Sequence, residues 1–157
     1  MHWIVEPFRR CFDYSGRSRR MEYWSFALLT LVLMALAALI ENRLGLSRVD
    51  AAGNRQGGLL MAIAFFLLAI PGLAVSVRRL HDSGRVGWWT ALPAAPILFW
   101  AVALVGGFNS LALFRVVTVT ILLAPLALLA LMCIPGTRGP NRFGADPKGQ
   151  DVADTFA

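Results

Sequence analysis

The sequence contains few charged residues, only two cysteines and a single lysine. Charged side chains make up 15% of the 157 residues, whereas soluble domains carry about 25%. Two cysteines are too few for a disulfide framework, and no C-x-x-C pair indicates a metal or redox site. The composition therefore excludes a disulfide-rich secreted domain and disfavours an ordinary soluble one.

Four long runs contain no charged residue at all. They cover about residues 24–40, 59–77, 87–105 and 116–134. Because about 20 apolar residues in a helix span the hydrocarbon core of a bilayer, each run is a candidate transmembrane helix. The sequence therefore predicts an all-α, polytopic membrane protein with four transmembrane helices. Pro71, inside the second run, favours a kink over a break, since a neighbouring helix in lipid can satisfy the freed carbonyl group.

Positive charges are unevenly divided among the segments that flank these runs. The N-terminal segment, the connection after the second run and the C-terminal tail hold five, three and three Arg or Lys residues. The polar loop 41–58 and the connection after the third run hold three and one. Because cytoplasmic segments are enriched in Arg and Lys, both termini are predicted to be cytoplasmic (N-in, C-in).

The two ends of the chain carry weaker signals. Apolar residues recur at helical spacing near the N-terminus, at Trp3, Ile4, Phe8 and Phe12. A short helix on the membrane surface would fit this spacing, and a plain juxtamembrane tail is the alternative. We predict a single membrane domain over residues 1–147 and a mobile tail over residues 148–157.

Three polar motifs border the predicted helices. Phe12 to Trp24 reads FDYSGRSRRMEYW, Arg78 to Trp89 reads RRLHDSGRVGWW, and Asn141 to Pro147 reads NRFGADP. They resemble the opening, central and closing motifs of the DUF805 family of small bacterial inner-membrane proteins. The resemblance covers about residues 12–147 and implies a multi-span helical protein of the bacterial inner membrane. It implies no activity, because the family is one of unknown function.

Under the predicted topology the three motifs reach the same membrane face, where guanidinium groups could pair with carboxylates. We therefore predict a cytoplasmic cluster of polar residues. Its predicted members are Arg17, Arg19, Arg20, Glu22, Arg78, Arg79, His81, Asp82, Arg85, Asn141, Arg142 and Asp146. Aromatic rings favour the headgroup level of a membrane. On that basis the predicted interface anchors are Tyr23, Trp24, Trp88 and Trp89.

Several interpretations of the cluster stay open. Its ion pairs would lock the helix ends together, or its arginines would bind anionic lipid headgroups or a membrane protein partner. Catalysis by His81 and Asp82 is disfavoured, because no nucleophile motif accompanies them. The two histidines show no metal-ligand spacing, so we expect no metal and no cofactor.

Transport is the main alternative function. Ion-coupled carriers usually keep an ionisable residue in mid-membrane, and the four runs contain none. Their prolines would permit broken helices, so a small transporter or channel component stays the alternative, with a membrane-embedded enzyme third. Nucleic-acid binding is disfavoured, because a lipid bilayer explains both the basic and the aromatic residues. The sequence thus predicts a non-enzymatic membrane protein and leaves its oligomeric state open.

Overall fold

The computed structural model describes residues 5–46, 48–49, 53, 55–56, 58–105 and 110–149. Trp3 and Ile4 of the predicted surface helix, and residues 150–157 of the predicted mobile tail, lie outside the described residues. The chain divides into two compact units. The first contains residues 1–14 and 21–75, and the second contains residues 15–20 and 76–157.

Almost all regular structure in the described part of the chain is helical. The α-helices are α1 (Glu6–Arg9), α2 (Arg20–Leu44), α3 (Leu59–Asp82), α4 (Ala94–Val105) and α5 (Leu111–Cys133). A 3-10 helix, Gly87–Ala91, precedes α4. Between α2 and α3, the two-residue strands β1 (Arg48–Val49) and β2 (Arg55–Gln56) pair antiparallel. The helical class predicted from the sequence is confirmed, with this short ribbon added in the polar loop.

Three helices among the described residues are long and apolar enough to cross a membrane. α2, α3 and α5 contain 25, 24 and 23 residues, and each exceeds the length of about 20 residues that a span requires. Few of their apolar side chains are buried by protein. That pattern is typical of helices whose surfaces face lipid, because the bilayer replaces a protein core as the apolar environment. The chain is therefore a helical membrane protein.

The helices extend beyond the apolar runs into polar sequence. α3 continues through Arg78–Asp82, so the prediction that these five residues belong to the connection after the second run was wrong. Hydropathy locates the hydrocarbon core of the membrane, whereas a helix continues as long as its residues tolerate helical backbone. Basic residues are also favourable in a last turn, where the helix dipole is negative. α5 likewise begins before its apolar run, at Leu111, and the Ser110 hydroxyl accepts a hydrogen bond from the Leu113 N–H at 3.0 Å.

The third predicted run is not one continuous α-helix. The 3-10 helix ends at Ala91, and α4 begins after Pro93, which lacks an N–H group and restricts the residue before it. The 12 residues of α4 span about 18 Å, less than the about 30 Å hydrocarbon core. α4 packs against α5. A fourth crossing at 87–105 therefore stays a prediction.

Residues of α2 and α3 form the small core of the first unit. Phe26, Leu68 and Val75 are buried, and Tyr23 and Met34 pack against them. These aromatic and aliphatic side chains join the two helices by close packing. In lipid, where no water surrounds the helices, such packing is a main source of attraction between them.

The α1 helix joins the same core as a single turn. The ring of Phe8 meets the ring of Phe26 edge-on, with the centroids 5.4 Å apart. Edge-to-face geometry places the positive ring edge of one residue on the negative ring face of the other. A helix of four residues is shorter than the surface helix suggested by the apolar spacing.

Glu41, near the end of α2, caps the start of α3. Its carboxylate is buried and accepts hydrogen bonds from the Gly58 N–H at 2.9 Å and the Met61 N–H at 3.1 Å. The first N–H groups of a helix have no partner within the helix and carry partial positive charge. A side chain at position 58 would lie 2.7 Å from the Glu41 carboxylate, which explains the glycine there. Glu41 therefore joins two helices whose sequence connection is a polar loop.

Candidate functional site

The α3 helix ends in a glycine turn that fixes the central motif. Gly84 has a φ of 75°, a left-handed conformation that glycine adopts without steric cost. The Gly84 N–H donates to the His81 carbonyl at 3.0 Å, and the Arg85 N–H donates to the Leu80 carbonyl at 2.9 Å. These two bonds form a Schellman motif. The motif orients Asp82 and His81 at the helix end and turns Arg85 away from the helix.

Two arginines share the carboxylate of Asp82. Nε and Nη2 of Arg17 lie 3.0 and 2.9 Å from Asp82 Oδ1. Arg79, one turn earlier in α3, pairs with Oδ2. Arg17, Arg79 and Asp82 are only 6%, 1% and 6% exposed. Burial makes each charge depend on its partners, because an unpaired charge out of water is costly.

Arg79 also caps the C-terminus of α5. Its Nε donates to the Met132 carbonyl at 3.1 Å, and its Nη2 donates to the Ile134 carbonyl. Nη1 of Arg20 lies 3.4 Å from the Cys133 carbonyl between them. The last carbonyl groups of a helix lack partners within the helix and form the negative end of its dipole. Arginine therefore satisfies this helix end through both hydrogen bonds and charge.

The segment that follows α5 in turn caps the C-terminus of α3. The Thr137 N–H donates to the Asp82 carbonyl at 2.8 Å, and the Thr137 hydroxyl donates to the same oxygen at 3.2 Å. Nδ2 of Asn141 donates to the His81 carbonyl at 3.0 Å. The end of α5 thus receives donors from a side chain of α3, and the end of α3 receives donors from the segment after α5. We call this arrangement the double cap and define it by Arg17, Arg79, Asp82, Thr137 and Asn141.

Arg17 ties the segment before α2 to the double cap. Its Nη2 donates to the Thr137 carbonyl at 2.5 Å, and its Nη1 donates to the Gly139 carbonyl at 2.6 Å. The Ser18 N–H donates to the Arg78 carbonyl at 3.1 Å. The Gly139 N–H in turn donates to Asp146 Oδ2 at 3.0 Å. All of these residues belong to the second unit.

His81 takes part through hydrogen bonding and ring stacking. Its Nδ1 lies 3.2 Å from the Gly16 carbonyl, so Nδ1 carries the hydrogen. The imidazole stacks on the ring of Phe143, with centroids 3.9 Å apart and planes within 2°. The neighbouring carboxylate, Asp82, is bonded to arginines, an arrangement that does not orient the imidazole as a general base. In the described part of the chain, no three His, Cys, Asp or Glu residues lie close enough to hold a metal ion.

The other predicted site residues lie in varied surroundings. Arg19 donates to the Pro147 carbonyl, and Arg78 is completely buried. Toward the described residues, Arg85 makes one long contact, 3.5 Å from Nη1 to the Ser83 carbonyl. Glu22 is buried in the first unit.

Sequence reasoning missed Gly136 and Thr137, which are absent from the predicted cluster. A Cβ at position 136 would lie 2.6 Å from the Asp82 carboxyl carbon, so glycine alone fits there. The signal that could have found this contact is the Pro135-Gly136 pair directly after the last apolar run. Backbone donors and acceptors leave no such signal, because every residue except proline carries both.

Comparison with known proteins identifies the family. The family model described as "Protein of unknown function (DUF805)" matches residues 11–145. The chain belongs to the DUF805 family. "Inner membrane protein YhaH" and "Inner membrane protein YhaI" of Escherichia coli K12 are 33% and 32% identical to it over 148 residues. These matches cover 94% of this chain and 98% and 97% of the relatives.

A third relative extends the comparison. "Uncharacterized protein YiiR" of the same organism is 32% identical over 152 residues, which cover 90% of this chain and 88% of that protein. No solved structure matches the chain. The resemblance to DUF805 proteins predicted from the three motifs is thus confirmed, and all five residues of the double cap lie within the DUF805 match.

The aromatic residues predicted as interface anchors of this DUF805 protein lie near the start of α2 and shortly after the end of α3 in the sequence. The rings of Tyr23 and Trp24 meet edge-on, with centroids 5.3 Å apart. Trp88 is 84% exposed, and Trp89 is exposed as well. Both tryptophans border an open, almost entirely apolar cavity of about 280 Å³. The remaining residues that line this cavity are Ala91, Leu92 and Ala95.

Proposed function

We propose that this DUF805 protein is a non-enzymatic inner-membrane protein. It crosses the bilayer four times, and its polar motifs form a structural lock at the cytoplasmic face. The double cap carries the proposal. Arg17 and Arg79 direct their N–H groups at Asp82 and at backbone carbonyls. These two arginines therefore serve the helix ends, and a substrate would have to displace bonds that hold the fold together.

The double cap also supports four crossings. α3 and α5 both end at it, so if both cross the bilayer, α5 must begin at the opposite face. The chain between Asp82 and Leu111 must then return across the membrane. The 3-10 helix and α4 contribute about 10 and about 18 Å along their axes, close to the about 30 Å hydrocarbon core. An interrupted third crossing is therefore long enough.

Charge supports a cytoplasmic position for the double cap. The N-terminal segment, the end of α3 with the turn after it, and the tail after α5 together hold 11 of the 15 Arg and Lys residues. Positively charged flanks favour the cytoplasmic side during insertion. Both termini are then cytoplasmic as well.

The position of the ionisable residues disfavours ion-coupled transport. In α2, α3 and α5 these residues lie within the first or last two turns of each helix. Carriers of protons and ions usually hold an ionisable group near the bilayer midplane. A structural lock needs charges only at the helix ends, as found here.

Cysteine accessibility tests the topology. Single cysteines replace the exposed residues Tyr14, Leu46, Val86, Leu111 and Pro140, in a chain that lacks Cys11 and Cys133. A membrane-impermeant maleimide added to intact cells should label only Leu46→Cys and Leu111→Cys, and permeabilised cells should allow labelling of all five. If Leu111→Cys were protected together with Val86→Cys, residues 83–110 would not cross, and the four-span proposal would be abandoned.

A further inference from the structure

Arg142 is held in place with most of its hydrogen-bonding capacity unused by the described residues. Its Nη2 donates to the Gly84 carbonyl at 3.2 Å, and its Cζ lies 4.6 Å from the centre of the Phe143 ring. The cation–π contact and the hydrogen bond restrain the guanidinium, yet the described residues take only one of its five N–H groups. The side chain is exposed. It therefore offers a pre-positioned fork of donors to a ligand.

Arg85 extends toward the same turn. Its Nη1 lies 3.5 Å from the Ser83 carbonyl, at the limit of a hydrogen bond. Because Ser83 and Gly84 are adjacent in the chain, the two guanidinium groups contact neighbouring carbonyl groups of one turn. A phosphate group presents several acceptor oxygens and can bond to two arginines of one turn.

The carboxylates described in this unit are bonded elsewhere. Asp82 pairs with Arg17 and Arg79. Asp146 accepts hydrogen bonds from the N–H groups of Gly139 and Lys148 at 3.0 Å each. The positive charge of the turn is thus not neutralised by these two acidic side chains, and it favours an anionic ligand.

An apolar cavity follows Arg85 directly in the chain. Trp88 and Trp89, three and four residues after Arg85, form its border together with Leu92, and its lining is almost wholly apolar. Three residues of extended chain reach at most about 11 Å. A turn with two arginines, followed in the chain by an apolar cavity with exposed tryptophans, matches the boundary between lipid headgroups and acyl chains.

We propose that Arg85, Arg142 and this cavity form a binding site for an anionic phospholipid. The lipid phosphate bonds to the two guanidinium groups, and an acyl chain occupies the cavity beside Trp88. A lipid without net charge would occupy the cavity, but the positive charge of the turn would not favour it. Free phosphate would bond to the arginines without occupying the cavity. This inference rests on the proposed function, because the turn must lie at the surface of the membrane.

Lipid retention by the purified full-length protein tests this proposal. Native mass spectrometry after mixing with phosphatidylglycerol or phosphatidylcholine should show at least about tenfold stronger retention of the anionic lipid. The double variant Arg85→Gln/Arg142→Gln should lose that preference, and Trp88→Ala should weaken retention of both lipids. Arg138→Gln removes an exposed charge from the segment that holds Arg142 and should leave the preference unchanged.

Each contrary result has a definite meaning. An equal loss in Arg138→Gln would show attraction by net charge alone and overturn the site. Complete displacement of phosphatidylglycerol by inorganic phosphate, together with full retention in Trp88→Ala, would assign the arginines to free phosphate and overturn the lipid. Unfolding midpoints of every variant separate lost binding from lost folding. The maleimide experiment reports the topology independently, so its failure would overturn the proposed function without altering the retention result.

Discussion

Gly136 lies directly against the carboxylate of Asp82. A Cβ built on Gly136 would stand 2.6 Å from the Asp82 carboxyl carbon, well inside van der Waals contact. The backbone after α5 therefore runs across the carboxylate that pairs with Arg17 and Arg79. This close approach lets Thr137 reach the Asp82 carbonyl.

The substitution Gly136→Ala should destabilise the protein. Its methyl group overlaps the Asp82 carboxylate, which cannot move away without breaking two buried ion pairs. Overpacking of this kind costs about 1–3 kcal/mol. Thermal unfolding in detergent and the amount of protein in the membrane measure the effect. Gly149→Ala is the matched control, because among the described residues the added methyl group meets the Asp146 Cβ alone, at an ordinary 4.0 Å. Equal midpoints for the two variants would contradict the close packing.

Neutralising Asp82 should be more costly than neutralising an exposed carboxylate. Asp82→Asn leaves two buried arginines without a counter-charge, and the free energy of unfolding should fall by about 3–5 kcal/mol. In the control, Asp13→Asn breaks the Arg10–Asp13 pair, whose side chains are 35% and 39% exposed. The control should lose less than about 1 kcal/mol. Denaturant or thermal titration of both proteins gives the comparison, and similar losses would argue against the double cap as a lock.

Removing the Glu41 carboxylate should weaken the start of α3. Glu41→Ala deprives the Gly58 and Met61 N–H groups of their acceptor, so the unfolding midpoint should fall. Glu41→Gln keeps one oxygen that accepts hydrogen bonds and should fall less. Hydrogen exchange at residues 58–62 measures the local effect. Unchanged exchange there in Glu41→Ala would show that the cap has no effect on the helix.

Asp146 should make the tail segment sensitive to acid. Hydrogen bonds from the Lys148 and Gly139 N–H groups hold the pKa of Asp146 below its ordinary value of 3.8, and the charge of Arg17 lowers it further. A carboxyl group with a depressed pKa stabilises the folded state above its unfolded pKa, and this contribution is lost as pH falls through the folded pKa.

The pH dependence of unfolding checks this sign. Wild-type protein and Asp146→Asn are compared from about pH 6 down to about pH 3. The wild-type advantage should be constant near neutrality and should decline only at the acid end. An advantage that grows on acidification would contradict the lowered pKa. Nuclear magnetic resonance of the Asp146 carboxyl carbon would report the pKa directly.

The membrane helices could be predicted from sequence because a helix in lipid needs little protein around it. Apolar residues on all faces of α2, α3 and α5 indicate that lipid surrounds these helices. Each run shows this pattern by itself, without reference to other segments. The ends of the helices were less predictable. Arg78–Asp82 are polar and were predicted to lie in the connection after the second run, yet they form the end of α3, where Arg79 and Asp82 bond to other segments instead of water.

The partners within the site could be predicted less well. The three motifs were expected to share one face, but the sequence did not indicate which arginine pairs with Asp82. Arg17 is 65 residues away in the chain. Most remaining bonds of Arg17 and Arg79 go to backbone carbonyls, and a carbonyl is present at every residue. Only the three-dimensional path of the chain after α5 selects the carbonyls that receive them.

The double cap has a consequence for how the chain is made. The Thr137 donors that cap the Asp82 carbonyl lie 55 residues further along the chain. Because synthesis proceeds from the N-terminus, α3 enters the membrane before these donors exist, and its C-terminal carbonyls must first be satisfied by water or lipid headgroups. The cap closes only after α5 and the following segment have been synthesised. A nascent chain that stops short of residue 137 can therefore cap α5 through Arg79, but it leaves the last carbonyl groups of α3 without their Thr137 and Asn141 donors.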